Sequence, residues 1–143
     1  NVIYFNLAAD ECYIVATHEP TSITDAYAMM KVMSTQHGAK RFKLIVNMVE
    51  NENEAKAVYA SLSQAIDRFL TGVVLEFMEF IPADKRLKQA VLNRNTVVSL
   101  FPDAMASRKI QSLCDKIIHS PRNFDSDGNI KFFLKQVMEY EQK

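Results

Sequence analysis

Asn47 stands near the end of an otherwise apolar run, after Leu44, Ile45 and Val46 and before Met48 and Val49. A side-chain amide offers a donor and an acceptor side by side, the pair needed to engage the N6 and N7 edge of an adenine ring. The plainer alternative is a strand-end residue that bonds its own loop. Pro82, Ala83 and Asp84 follow the next apolar run, residues 73–81. Both features therefore fall at the carboxyl ends of expected strands, where open α/β sheets bind ligands. A third feature is the segment THEPTSITDAY, residues 17–27. Pro20 resets the chain there, and Thr21 or Ser22 can cap a helix while an acid three or four residues on answers the exposed amides, so a capping box is expected.

Other chemistry is not organised by the sequence. His18, His37 and His119 lie on different segments, and Cys12 and Cys114 are far apart and outside any CxxC spacing. Neither a metal site nor a disulfide framework is suggested. There is no GxSxG motif, and no GxxxxGK[ST] loop in a chain with only three glycines, so no nucleophile and no phosphate cradle can be assigned. Lys85, Arg86, Lys88 and Arg94 form a basic amphipathic segment that either holds an acidic partner or is a solvated helix face.

These residues need elements to position them. The 143 residues are 48% hydrophobic, enough for one core. Seventeen Lys and Arg balance seventeen Asp and Glu, so no broad positive field exists to hold nucleic acid. No apolar run approaches the roughly 20 residues that span a bilayer, and a cytoplasmic location is expected. Residues 12–17 (CYIVAT), 42–49 (FKLIVNMV) and 73–81 (VVLEFMEFI) read as strands, the last made least regular by Glu76 and Glu79. Between them, Ile23, Ala26, Tyr27, Met30 and Met33 form one helical stripe. Ala55, Val58, Tyr59, Leu62, Ala65, Ile66 and Phe69 form another, and Gly38 and Gly72 are expected to stop the two helices.

Strand, helix, strand, helix, strand is the grammar of a parallel sheet with crossover helices. A single domain is expected, with βαβαβ order over 1–82, a helical part over 83–119 containing helices at 85–94 and 105–119, and a tail helix over 130–141. Residues 1–8 read as the last turns of a helix, and Asn1 is not a translation start. Three parallel strands are few for such a sheet, so the chain reads as the second half of a larger fold.

The motifs together resemble the carboxyl-terminal part of the MinD/ParA class of deviant Walker ATPases, specifically the FlhG (FleN) branch that controls the number and placement of bacterial flagella. The resemblance rests on NVIYFNLAADECYIVAT running into HEPTSITDAYAMMKV, then KLIVNMV, FIPADKRLKQAV and VVSLFPDAMAS, in that order and spacing. It covers residues 1–118, and IKFFLKQV is similar to the helix that ends that branch. It implies a partial Rossmann-like P-loop NTPase fold: a three-layer α/β/α arrangement with a parallel sheet of about three strands and a helical tail. It implies that Asn47 contacts adenine and that Ile81, Pro82, Ala83 and Asp84 frame the base. The full-length parent would use ATP or ADP with Mg²⁺ as a dimerising switch. This chain would lack catalysis and is not expected to hold nucleotide by itself, because the phosphate loop is missing. His18, Glu79 and Ala104-Met105 depart from residues common in that branch, the first two near the expected base pocket.

The resemblance also implies partners: the FlhF GTPase or a transcription regulator, and a peripheral membrane contact through the tail. Ile130, Phe133, Leu134 and Val137, with Met138, make its apolar stripe beside Lys131 and Lys135. The other reading docks that stripe on the sheet or on a second copy, since Glu139 and Glu141 weaken attraction to anionic lipid. The alternative function is accordingly a non-catalytic protein- or membrane-binding module. Finally, in the sheet that the resemblance implies, the strand over 12–17 lies beside the P-loop strand and is expected here at an edge, with no charge or Pro to discourage pairing, which predicts a homodimer through Ile14 and Val15 or their neighbours.

Overall fold

From Phe42 to Val46 every second residue of the central strand is apolar and fully buried, and the residues between them meet a different set of neighbours. That strand is β2 (Arg41–Val49), in a computed structural model that describes residues 11–120. The elements run β1 (Tyr13–Ala16), α1 (Pro20–His37), β2, α2 (Glu52–Phe69), β3 (Val74–Pro82), α3 (Lys85–Leu92), α4 (Val97–Leu100) and α5 (Met105–His119). The described residues form a three-stranded sheet of order β1-β2-β3, parallel throughout, with Ile14 opposite Leu44 and Asn47 opposite Ile81. This is the α/β architecture expected. The expected segments 1–8 and 130–141, including Ile130, Phe133, Leu134 and Val137, lie outside the described residues.

Two apolar clusters sandwich the sheet. Phe42, Leu44 and Val46 join Met30 and Met33 of α1 and Val58, Leu62 and Ile66 of α2 on one face. Sequential parallel strands joined by right-handed crossovers place both connecting helices on that same face. Ile45 and Ile81 face the other way, with Ala90 of α3, Val97 of α4 and Ala106 and Ile110 of α5. The register slips between Leu44 and Ile45 and again between Asn47 and Val49. The second slip leaves Met48 left-handed (φ 59°) and exposed, and it returns Val49 to the α1/α2 face that strict alternation would give to Met48.

Three local expectations are corrected. No capping box opens α1: its N-cap is Glu19 with no side-chain cap bond, and its first turn has no acid. Pro20 starts the helix because its missing N–H is no loss there, which puts Ser22 inside the first turn, where its Oγ accepts from the Thr17 N–H at 2.9 Å. Side-chain capping occurs instead at α2, where the N-cap Asn51 accepts from the Glu54 N–H (3.1 Å) and the Glu54 carboxylate accepts from the N–H of Glu50, one residue before the cap (2.6 Å). Gly38 caps α1 in the left-handed region (φ 74°), but Gly72 does not stop α2. That helix ends at Leu70, whose N–H reaches the Ile66 carbonyl at 2.8 Å, and Gly72 (φ 70°) serves the turn before β3. The basic segment ends as helix at Leu92, and the single turn α4, capped by Thr96, has no counterpart in the periodicity.

Glu79 explains how a strand with two acids belongs in the sheet. Its carboxylate is 6% exposed and receives Lys109 Nζ at 3.1 Å on one oxygen, and Lys116 Nζ at 3.0 Å and Ser112 Oγ at 2.8 Å on the other. The Phe80 N–H donates to it at 3.1 Å, and Lys116 also donates to the Met78 carbonyl at 2.6 Å. Burial by itself would push this carboxyl up. The donors from Ser112, Lys116, Lys109 and Phe80 overcome that and hold it at about 2. Lys109, Ser112 and Lys116 recur at helical spacing on one face of α5, so the clasp fastens this helix to β3.

A depressed carboxyl stabilises the fold at pH values above its unfolded value of 4.5, and that stability is lost as pH falls toward about 2. Urea unfolding should show stability falling by on the order of 3 kcal/mol across this window. Glu79→Gln should cost about 3 kcal/mol at neutral pH, because two lysines lose their counter-charge, and should flatten the acid dependence.

Candidate functional site

The three strands point the same way, so the loops after them converge on one edge. Asn47 is half-buried there, and its side-chain amide has no hydrogen-bond partner among the described residues. The plainer expectation, a bond to its own loop, is not what the structure shows. Beside it, Ile81 is its register partner and Pro82 is opposite Val49. The Ala83 N–H donates to the Val49 carbonyl at 2.9 Å, which locks the two strand ends together just past the Met48 bulge. Asn47, Pro82 and Ala83 are thus brought to one place. The amide of Asn47 is left open, whereas the N–H of Ala83 is already used.

Asp84 sits in the same loop, but both its oxygens are engaged. One accepts from the Arg86 N–H at 2.8 Å and caps α3; the other accepts from the Ala106 N–H at 3.2 Å, in the first turn of α5. One carboxylate therefore answers the exposed amides of two helix starts. The pairing spans 22 residues and no sequence spacing announces it. Across the edge, His18 Nδ1 lies 3.8 Å from Glu54, while Glu79 faces α5 and takes no part in this edge.

A family model described as 4Fe-4S iron sulfur cluster binding proteins, NifH/frxC family, matches residues 4–131. The chain belongs to the NifH/frxC family. It is 34% identical over 140 residues to the antiactivator FleN of Pseudomonas aeruginosa, covering 98% of this chain and 50% of that protein. It is 28% identical over 137 residues to the flagellum site-determining protein YlxH of Helicobacter pylori, covering 93% of this chain and 46% of that protein. The chain thus spans about half the length of these relatives, and they place it in the FlhG/MinD class. The MinD cell division protein of Aquifex aeolicus has the same fold over 79% of this chain and 45% of its own, with a TM-score of 0.56 and 21% identity.

The cluster named in the family description does not fit the donors of this chain. A cubane is held by four thiolates, which in a pair of chains calls for two well-placed cysteines from each, and the two of this sequence lie on separate segments. Cys12 precedes β1 half-buried, where burial pushes its thiol up and away from the thiolate a ligand requires, and Cys114 is exposed on α5. Among the described residues no group of three or more His, Cys, Asp or Glu is placed to hold a metal ion. Family membership points to nucleotide and Mg²⁺ use in the full-length parent, and the residues of this chain contain no phosphate-loop motif. Among the described residues no helix is long and apolar enough to cross a membrane.

The double cap makes a graded prediction. Asp84→Ala should cost about 2–3 kcal/mol in urea unfolding, because two helix starts lose an acceptor. Asn51→Ala, which removes a single cap, should cost about 1 kcal/mol.

Proposed function

We propose that this chain is the base-reading and partner-bearing part of an FlhG-like nucleotide switch that regulates flagellar number and placement. The open amide of Asn47 at the carboxyl edge carries the reading, because a donor and acceptor that the protein does not use are what an adenine edge requires. Pro82 and Ala83 supply the neighbouring wall, and Asp84 acts through the helix starts it caps rather than on the base. The names of FleN and YlxH, an antiactivator and a flagellum site-determining protein, support the regulatory role. Phosphoryl transfer depends on charge stabilisation by a P-loop Lys and Mg²⁺, and this chain brings neither motif. ATP or ADP with Mg²⁺ therefore belongs to the longer parent, and the FlhF GTPase or a transcription regulator remains the proposed partner class.

NMR titration of the chain with ATP and with GTP tests the base-reading role. The side-chain amide of Asn47 and the backbone of Ala83 should shift weakly with ATP, less with GTP and not at all in Asn47→Ala, with no phosphate released. Equal response to both bases would remove the role of Asn47. Hydrolysis that is lost in Asn47→Ala would contradict the placement of catalysis outside this chain.

Self-association belongs to the same proposal. Among the described residues β1 pairs only with β2, and Val15 on it is 59% exposed while Ile14 is in the core. A second β1 pairing along this edge would satisfy its backbone groups and cover Val15. Light scattering should show a dimer at micromolar concentration that Val15→Lys converts to monomer. A stable monomer in the parent sequence would refute the pairing.

A further inference from the structure

The stretch from Lys85 to Pro102 contains four cations and no acid. Arg86 is paired with Asp103 at 3.0 Å and stacks over Phe101, 5.9 Å from its ring centroid. The other flanking acid, Asp84, has both oxygens on backbone amides. Lys85, Lys88 and Arg94 are exposed and have no ion pair among the described residues. A chain with no net charge thus carries a local surface of one sign.

That surface is also apolar. Leu87 and Ala90 turn α3 inward against Val97 and Phe101. Lys88, Val91 and Leu92, at i, i+3 and i+4, share another face, on which Val91 is 64% and Leu92 76% exposed. Leu100, ending the neighbouring α4, is 39% exposed. The helix stops by a Schellman pattern, with the Asn95 N–H on the Ala90 carbonyl (3.0 Å) and the Arg94 N–H on the Val91 carbonyl (2.9 Å). The left-handed position of that motif favours glycine, yet Arg94 occupies it at φ 51°. A cation thus stands where the backbone would favour glycine.

We propose that this face of α3 docks an acidic amphipathic segment of a partner protein, its aliphatic side chains on Val91 and Leu92 and its carboxylates on Lys88, Lys85 and Arg94. Charge complementarity selects that occupant. A nucleic acid would meet two aliphatic side chains between the cations and no exposed aromatic on which to stack a base. A bilayer interface calls for a longer apolar stripe with aromatic or bulky residues, and α3 has eight residues with no aromatic among them. The proposal is independent of the role given to Asn47.

The test pans a library of short random peptides against the full chain and against a Lys88→Glu, Leu92→Glu variant. Both side chains face water, so the variant should keep the parent's thermal melting. The parent should enrich peptides in which acidic residues alternate with aliphatic ones. A purified peptide from that pool should bind the variant about tenfold or more weakly and should weaken as salt is added. Changing one of its acids to Lys should recover binding to the single variant Lys88→Glu. No enrichment, peptides without acids, or equal binding to parent and variant would overturn the proposal. Leu92-dependent binding to phosphatidylserine vesicles or to duplex DNA, in place of peptide, would overturn it in favour of those surfaces.

Discussion

A single buried carboxylate decides where α5 lies. Glu79 sits in β3 where an apolar residue would be expected, and burial of a charge is tolerated only when it is paired and fully bonded. Lys109, Ser112 and Lys116 supply that pairing from one face of α5. With α5 held across β3, its amino end falls beside the loop after β3, where Asp84 can cap it and α3 together. The far end of α5 reaches Lys43 of β2, whose Nζ is 3.5 Å from Ser120 Oγ and 2.6 Å from Glu11. The layer over the second face of the sheet is therefore fastened by polar clasps at both ends, with the smaller apolar cluster between them.

The same arrangement shapes the carboxyl edge. Met48 takes a left-handed conformation that a bulky residue adopts at a cost of roughly 1–2 kcal/mol. Val49 gains full burial and accepts the Ala83 N–H as the compensating contact. The bulge interrupts the ladder one residue after Asn47, and among the described residues nothing bonds this amide near the strand end. Strain of this kind collects at functional edges, and here it separates a residue that holds structure, Asp84, from one that is left open, Asn47. Neutral overall charge hides a comparable separation at the surface, where Asp84 and Asp103 are engaged beside α3 while Lys85 and Lys88 have no ion pair among the described residues.

Much of this was legible in the residues themselves. Alternation and β-branched content placed all three strands, and stripes at helical spacing located α1 and α2 and bounded α5 at Met105 and His119, because burial on a sheet face or helix stripe is a local pattern. The parallel order followed from one helix per connection. Motif order alone indicated the FlhG/MinD class and singled out Asn47 and the loop of Pro82, Ala83 and Asp84. The spacing of Lys109, Ser112 and Lys116 was also readable as one helix face, but nothing local said what it faced.

Tertiary structure decided what those residues do. Glu79 looked like a flaw in β3 because its partners are 30 or more residues away. Nothing near Asp84 in the sequence announces that its second oxygen accepts from Ala106, a contact set by how α5 crosses the sheet. Side-chain capping falls on α2 rather than α1 because Pro20 fixes the first turn of α1 and Asn51 stands at the N-cap of α2, and Gly72 became a turn residue because Leu70 had already closed the helix. The sequence by itself determines periodicity, punctuation and lineage. Pairings between distant polar groups exist only after the apolar faces have packed and brought those groups out of water together.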